Sequence, residues 1–293
     1  MSDELGAIQS LGRQERSIAD EVRTAVREKK PITVRRIITN EYLLHVLSII
    51  VFVMIWHHVA VGGAFRGALC TPWQVVEQFR SLMTDTLAGL TIWGHIWAST
   101  QRIFIGFVLA SAVAIPLGLF MALNPYVDAV VKPVFDIFKP MPPIAWISIA
   151  ILWFGIDEAS KIFIIIVGTF VPCLLNSYNG IRVIDPELYD VVRVLGGNRW
   201  NEILQVSFPA SYPTIFAGLH ISLSNAWTCV LAAELVASRS GLGFIIMQGM
   251  KVSDTSMVIG GMVIIAVVAW LSSLLLIGLE KLLCPWKRVH GDS

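Results

Sequence analysis

Residue patterns that support covalent or metal chemistry do not occur in this sequence. There is no HExxH or GxSxG motif, and no pair of carboxylates lies within one apolar run. The segment GIDEASK at 155–161 comes nearest to a phosphate-binding loop, but it lacks the second Gly before Lys. The cysteines at 70, 173, 229 and 284 form no CxxC pair, and no His stands beside one in a ligand pattern. The sequence therefore predicts neither an enzyme nor a metal site.

Glu234 is the acidic side chain whose surroundings most favour a specific role. It follows the uncharged run Ile203–Ala233 and precedes SRSGLGFIIMQGM, an apolar segment with Gly241 and Gly243 that is too short to cross a bilayer. A carboxylate in such a place needs a partner, and free backbone amides would serve. We predict that Glu234 holds this segment as a re-entrant outer gate. The alternative is a carboxylate exposed at the membrane interface, and its charge disfavours anion binding.

The composition indicates the elements that must position these residues. The chain has 293 residues, of which 55% are hydrophobic and 15% charged, against about 25% charged in soluble domains. The mean hydropathy is +0.70. Runs without Lys, Arg, Asp or Glu reach the roughly 20 residues that a helix needs to span a bilayer. These runs are Tyr42–Val61, Ile103–Leu123, Ile162–Ile181, Ile203–Ala233 and Thr255–Leu279, and Pro140–Ile156 is a shorter sixth.

We therefore predict an all-α, polytopic membrane protein with about six spans. The spans are expected near 43–61, 94–123, 126–155, 160–181, 212–236 and 256–283. Placing both termini in the cytoplasm puts 16 of the 22 Lys and Arg residues inside and 6 outside, although the short loops alone divide 8 to 6. Residues 1–41 then form a cytoplasmic tail, 42–287 the transmembrane domain and 288–293 a second tail. Within the first tail, 13–30 predicts an amphipathic helix, or else a solvated flexible segment.

The loop 182–211 contains the longest amphipathic passage in the apolar part of the chain. Asp185 can cap a helix, Pro186 suits its first turn, and Glu187 complements the positive helix end. Gly196 and Gly197 end that helix, and Asn198 can cap a second one that carries Trp200 and that Pro209 closes. Four residues at helical spacing form the apolar face of the first helix: Leu188, Val191, Val192 and Leu195. This helix either docks in a groove of another protein or folds back on the bundle.

The spacing in this loop resembles a known signature. Permease subunits of bacterial ABC importers carry Glu-Ala-Ala, three residues, Gly, nine residues, then Ile-x-Leu-Pro. Here Asp190-Val191-Val192 precedes Gly196 by the same interval, and Val206-Ser207-Phe208-Pro209 follows at the same distance. The segments IPLGLFMAL, KPMPPIAWISIAILWFGIDEASKI, LLNSYNGIRVIDPELYDVVRVLGGNRW and AAELVASRSGLGFIIMQG are similar to permeases for nitrate, sulfonate, taurine, bicarbonate and related solutes. The resemblance covers about 94–287.

The resemblance implies the type I ABC importer permease fold, with 182–211 as the coupling-helix loop that docks on a cytoplasmic ATPase. Residues expected to take part are Glu187, Leu188, Asp190, Val191, Val192, Arg193, Leu195, Gly196, Gly197, Trp200 and Pro209. The chain would hold no cofactor, because ATP and Mg²⁺ bind the partner ATPase. Expected partners are two ATPase subunits, a second permease copy (identical or a paralogue), an extracytoplasmic solute-binding protein and the bilayer of a bacterial inner membrane, with no nucleic acid.

Helix breaks and polar residues within the spans predict the solute pathway. The break at Pro140–Pro143 removes backbone donors, and such breaks line a cavity or lie buried in protein; a plain kink that faces lipid or another helix is the alternative. Candidate residues for the pathway or gate are Met141, Pro142, Pro143, Trp146, Asn176, Ser224, Asn225, Trp227, Glu234, Gly241 and Gly243. Polar residues in spans also serve ordinary helix packing. We expect no basic residue mid-span where it could neutralise an oxyanion, so the spans alone would not select an anion.

The solute stays open at this point. A small oxyanion such as nitrate, a sulfonate or taurine, or bicarbonate is expected from the resemblance. An aromatic acid or a pyrimidine or vitamin precursor would fit the same permease role. An ion-coupled secondary transporter is a further hypothesis, but that class usually shows inverted repeats and an intramembrane ion site, and neither is found here.

Overall fold

The computed structural model describes residues 41–62 and 69–284, so the predicted amphipathic helix over 13–30 and the tail 288–293 lie outside the described residues. Helix α1, Glu41–Gly62, accounts for the described part of the first of two compact units. The second unit begins at Gly62. Its helices are α2 Pro72–Thr84, α3 Ile92–Leu123, α4 Pro125–Phe138, α5 Ile147–Phe154, α6 Glu158–Arg182, α7 Pro186–Val194, α8 Phe208–Ala237, α9 Leu242–Lys251 and α10 Thr255–Leu283.

The helices confirm an all-α protein with membrane spans. By length and composition, 5 helices within 41–62 and 69–284 can cross a bilayer, and the pair α4 and α5 makes 6 if it counts as one bent span. The five are Leu43–Gly62, Ile92–Leu123, Glu158–Arg182, Arg199–Val236 and Thr255–Leu283. The predicted bend at Pro140–Pro143 is present, because α4 and the segment Pro143–Phe154 meet at 85°.

The core of the second unit lies where α3, α6 and α8 pack together, with α9 and α10 against one end. Ile164 and Ile165 of α6 meet Ala226 and Val230 of α8 in one buried cluster. Side chains of this size and apolar character each contribute roughly 1.5–3 kcal/mol when fully buried. This packing holds α6 and α8 together along most of their length, so residues at the same end of both helices are brought together.

Local signals explain how α2 begins. Thr71 caps the helix in a capping box with Gln74. Only part of the apolar face of α2 is buried, since Val75 and Leu82 are buried while Phe79 and Met83 are exposed.

The prediction that Pro209 closes a short helix is wrong. Helical structure continues from Arg199 to Ala237 through a π-helical stretch, Glu202–Ser207, with Pro209 in the first turn of α8. In that stretch the Phe208 N–H donates to the Ile203 carbonyl, five residues earlier. This wider hydrogen-bond register accommodates a residue without an N–H in an unbroken helix.

Candidate functional site

The surface helix α7 forms as the sequence predicts. The Asp185 side chain accepts the Glu187 N–H at 3.0 Å, and Pro186 occupies the first turn. Leu188 and Val191 are exposed, and so is Leu195 directly after the helix. The sequence analysis missed Val194, which is 86% exposed and lies beside Leu195. α7 therefore presents an apolar surface to its surroundings.

The other side of α7 faces the rest of the chain. Val192 is half-buried, so it does not share the free surface assigned to it. The Tyr189 hydroxyl lies 3.1 Å from Ser207 Oγ, a contact that the sequence analysis did not predict. Arg193 pairs with Asp190 at 3.1 Å and with Glu202 at 2.7 Å. The hydrogen bond that Arg193 donates to Glu202 raises the pKa of Arg193, which stays charged and connects α7 to the start of the next helical segment.

Two glycines end α7 for different reasons. Gly196 has φ +79°, and a side chain there would meet no atom within 4 Å. Gly197 donates its N–H to the Val192 carbonyl at 2.8 Å, and a Cβ on it would lie 2.9 Å from that same oxygen. Gly196 is thus required for its backbone conformation and Gly197 for close approach. Trp200, just beyond this turn, is 69% exposed.

A cavity of about 680 Å³ lies beside the bend between α4 and α5. Its wall contains five of the residues predicted for the pathway: Met141, Pro143, Trp146, Asn176 and Asn225. Most of the remaining wall is aliphatic or aromatic, from α4, α6 and the turn before α5. Its size is typical of a small-molecule site.

Six of the residues predicted for the pathway or gate do not line this cavity: Pro142, Ser224 and Trp227, and the gate residues Glu234, Gly241 and Gly243. Trp227 is 6% exposed and packs in the apolar core, with its indole N–H buried and unpartnered in the described part of the chain. Ser224 is directed to its own helix, where its hydroxyl donates to the His220 carbonyl at 3.2 Å. Pro142 precedes the turn that enters α5 and stays outside the wall. Helical spacing alone does not distinguish these positions from Asn225.

The expectation that no basic residue lies mid-span is also wrong, because Lys139 falls between the two halves of the bent span. Arg102 stands in the first third of α3 with 4% of its surface exposed. Lys139 directly follows α4 and lines the cavity. α4 has 14 residues, so Lys139 lies about 20 Å along from Pro125. The charge rule assigned it to the cytoplasm because the sequence does not show where the bend falls.

Glu234 is fully buried and accepts hydrogen bonds from several directions. Arg102 Nη1 lies 2.6 Å from one carboxylate oxygen, and the Ser99 hydroxyl donates at 2.8 Å. The Gly243 N–H donates to the other oxygen at 2.8 Å. The structure therefore contains the bond from the glycine segment to Glu234 that the sequence predicts. It also supplies the positive partner that the sequence analysis did not name.

Polar side chains of α3 bind the same segment, each through one backbone N–H or carbonyl group. His95 Nδ1 accepts the Gly241 N–H at 3.1 Å, and Ser99 Oγ accepts the Leu242 N–H at 2.8 Å. Arg102 donates to the Ser240 carbonyl at 2.9 Å. The signal for this arrangement is the spacing i, i+4 and i+7 of His95, Ser99 and Arg102, which puts them on one face of a helix.

The ion cluster extends to the start of α6. Glu158 pairs with Arg102, with 2.8 Å between Oε1 and Nη2, and with Lys161 at 2.9 Å. Together with Glu234, this ion cluster contains two positive and two negative side chains. Its charges therefore balance in a region where an unpaired charge would be costly. No group of His, Cys, Asp and Glu suited to a metal ion occurs within 41–62 and 69–284.

The ion cluster and α7 lie at opposite ends of the second unit. Glu158 begins α6, and Arg182 ends it three residues before the cap of α7. With 25 residues, α6 separates the two ends by about 37 Å. Long apolar helices, a cavity between them and an amphipathic helix at one end define a multi-pass membrane protein of the transport class.

Comparison with known proteins identifies the family. Residues 114–289 match the binding-protein-dependent transport system inner membrane component family. The taurine transport system permease protein TauC of Escherichia coli is 30% identical over 257 residues, covering 87% of this chain and 92% of TauC. The putative aliphatic sulfonates transport permease protein SsuC of Bacillus subtilis is 34% identical, covering 82% and 86%. The chain belongs to this family and is the permease of an ABC importer.

A solved structure supports the fold independently. The MetNI methionine ABC transporter, in an inward-facing conformation, has a chain that superposes with a TM-score of 0.56 at 16% identity. The match covers 71% of this chain and 98% of that chain. This level of identity bears on the fold, which is that of a type I ABC importer permease, and the family excludes the hypothesis of an ion-coupled secondary transporter.

Proposed function

We propose that this permease imports a small oxyanion delivered by an external binding protein. The first candidate is a sulfonate such as taurine, and the second is nitrate or bicarbonate. The relatives named for taurine and aliphatic sulfonates support this class, since each covers more than four-fifths of the chain. The cavity beside Pro143 and Asn176 gives the solute a passage of suitable size.

The free energy of ATP hydrolysis reaches the permease through α7, which binds the ATPase. Its exposed apolar residues Val191, Val194 and Leu195 are the observation that carries the proposal, because such a surface outside the bilayer favours burial in a partner's groove. The partner is a cytoplasmic ATPase that binds ATP and Mg²⁺. Two ATPase subunits and two permease copies, each with one α7, complete the transporter. The end with α7 lies in the cytoplasm, as do both termini.

The opposite end faces outward and contains the gate. Glu234 and the polar residues of α3 hold the segment 238–250 closed through its backbone amides until the binding protein docks. The fixed partners at Ser240, Gly241 and Gly243 support this role, since buried side chains of Arg102, His95 and Glu234 each bind one backbone group there.

Purification of the permease together with its ATPase and binding protein tests the proposal. We expect taurine, alkylsulfonates or nitrate, presented on the binding protein, to raise ATP hydrolysis several-fold in nanodiscs. An assembly that responds to none of these anions, but responds to an aromatic acid or a pyrimidine precursor, would contradict the oxyanion assignment and leave the permease role intact.

A further inference from the structure

Lys139 is the charged residue of the cavity wall. Of the residues that line the cavity, the others are apolar or neutral. Lys139 keeps 42% of its side chain exposed, and its ammonium lies 3.1 Å from Asp136 Oδ1. Asp136 is itself 46% exposed and does not line the cavity. Lys139 therefore lines the cavity while its ammonium pairs with a half-exposed carboxylate that does not.

The two amide side chains of the cavity are partly engaged by the helix backbone. Asn176 Nδ2 donates to the Pro172 carbonyl at 2.8 Å, and Asn225 Nδ2 donates to the Gly168 carbonyl at 3.3 Å. The second bond has a clear cause. Pro172 has no N–H, so the carbonyl four residues earlier loses its helical partner, and Asn225 replaces it. Each amide thus has one of its two N–H donors engaged, and Lys139 is the charged donor among the residues that line the cavity.

The remaining wall favours an organic solute over an inorganic one. Phe135, Phe138, Trp146 and Phe163 contribute rings to the wall, and the Trp146 ring lies 6.1 Å from Phe138 and 6.4 Å from Phe163. Apolar walls add binding free energy only for a solute that has apolar surface, at about 25 cal/mol for each Å² buried. A bare nitrate ion has none to offer and leaves most of the 680 Å³ unfilled.

We propose that Lys139 is the specificity-determining residue of the cavity, and that it binds the sulfonate group of an organic sulfonate whose carbon chain lies against the aromatic wall. This inference rests on the proposed function and narrows its solute class. Asp136 acts as the internal counter-ion: it neutralises Lys139 when the cavity is empty and returns to water when a sulfonate replaces it. Because the sulfonate displaces an existing ion pair, binding is weak and release is fast, as transit requires.

Tryptophan fluorescence can measure this binding without the binding protein. The complex of permease and ATPase in nanodiscs is titrated with 2-bromoethanesulfonate, whose bromine quenches nearby indoles. We expect saturable quenching that Trp146→Phe removes. Lys139→Gln should weaken the apparent affinity about tenfold or more, the usual cost of losing a charge-assisted hydrogen bond. Asp136→Asn should strengthen it several-fold, because it frees the ammonium.

Two controls test whether the effect is specific to Lys139 and to sulfonates. Lys132→Gln removes a lysine of the same helix that lies over the Tyr178 ring, outside the cavity, and should leave binding unchanged. Ethanesulfonate should compete with the brominated compound at far lower concentration than nitrate. Equal competition by nitrate, or unchanged affinity in Lys139→Gln, would overturn the assignment.

Lys139→Gln and Asp136→Asn should shift the apparent affinity in opposite directions, so either variant can test the proposal if the other folds poorly. Asp136→Asn without any gain in affinity would also count against the internal counter-ion. The proposed function fails in a different way: the wild-type importer would not transport any oxyanion. Sulfonate transport that persists at the wild-type KM in Lys139→Gln would refute this inference alone.

Discussion

Arg102 of α3 and Glu234 of α8 form an ion pair with almost no access to solvent, with 4% and 0% of their side chains exposed and 2.6 Å between Nη1 and Oε1. The pair connects two spans that are distant in sequence to one short segment, since Arg102 also binds Ser240 and Glu234 also binds Gly243. A movement of that segment must break hydrogen bonds to both charges. The segment 238–250, most of which is helix α9, is therefore anchored by both members of the ion pair.

Arg102 and Glu234 should be energetically coupled. Arg102→Met leaves Glu234 buried without its positive partner, and such changes typically lower the free energy of unfolding by about 3–5 kcal/mol. Glu234→Gln should cost less, because Arg102 keeps its ion pair with Glu158. The double variant should lose less than the sum of the two. Thermal melting of the purified complex measures this coupling.

The same variants test the gate. A segment released from Glu234 should let the importer hydrolyse ATP several-fold faster in the absence of binding protein. A Glu234→Gln variant with wild-type stability, wild-type transport and wild-type basal hydrolysis would remove the gate from the account. Lys132→Gln, which lies outside both the ion cluster and α7, serves as a control for general loss of a cation and should not raise basal hydrolysis.

The exposed and buried sides of α7 should respond differently to a charge. Val194→Asp and Leu195→Asp alter surface positions, so we expect a stable permease that no longer co-purifies with the ATPase. Val192→Asp buries a carboxylate behind the helix and should lower the melting temperature as well. Co-purification that survives both surface substitutions would show that α7 is not the docking surface.

Gly196 and Gly197 should differ in what they tolerate. Asn accepts positive φ better than other side chains, and space is open around Gly196, so Gly196→Asn should keep the ATPase bound. Gly196→Asp leaves the fold intact but adds a negative charge to the docking surface, and we expect it to lose the ATPase. Gly197→Ala must displace the Val192 carbonyl and should loosen the turn. Equal behaviour of Gly196→Asn and Gly197→Ala would contradict this explanation.

Cysteine labelling can test the orientation. The native cysteines at 70, 173, 229 and 284 are buried, which gives a low background for a charged maleimide. Val194→Cys and Ile156→Cys place thiols at positions that are 86% and 73% exposed. We expect intact cells to label only Ile156→Cys and opened cells to label both. The reverse pattern would invert the topology.

Local signals explain why α7 could be predicted from the sequence. A cap at Asp185, a proline after it, apolar residues at helical spacing and two glycines all lie within one short stretch. The same reasoning failed at Pro209, because a proline ends a helix only when its neighbours keep the usual hydrogen-bond register. The π-helical stretch before it changes that register.

The ion cluster could not be predicted in the same way. Arg102 and Glu234 are 132 residues apart, and nothing local indicates that their helices meet at the same depth. The sequence shows Glu234 and its need for a partner, but the partner depends on the packing of α3 against α8. The charge count assigned Lys139 to the cytoplasm for a related reason. Such a count needs the span boundaries, and the sequence does not show the boundary at the bend.

Uptake by proteoliposomes that contain the permease, its ATPase and its binding protein can test ATP-driven sulfonate import through α7. We expect labelled taurine or another sulfonate to accumulate only with internal ATP and Mg²⁺. Val194→Asp should abolish this accumulation while the permease stays folded. Accumulation without ATP, driven by a proton or sodium gradient and unaffected by Val194→Asp, would contradict ATP-driven import through α7.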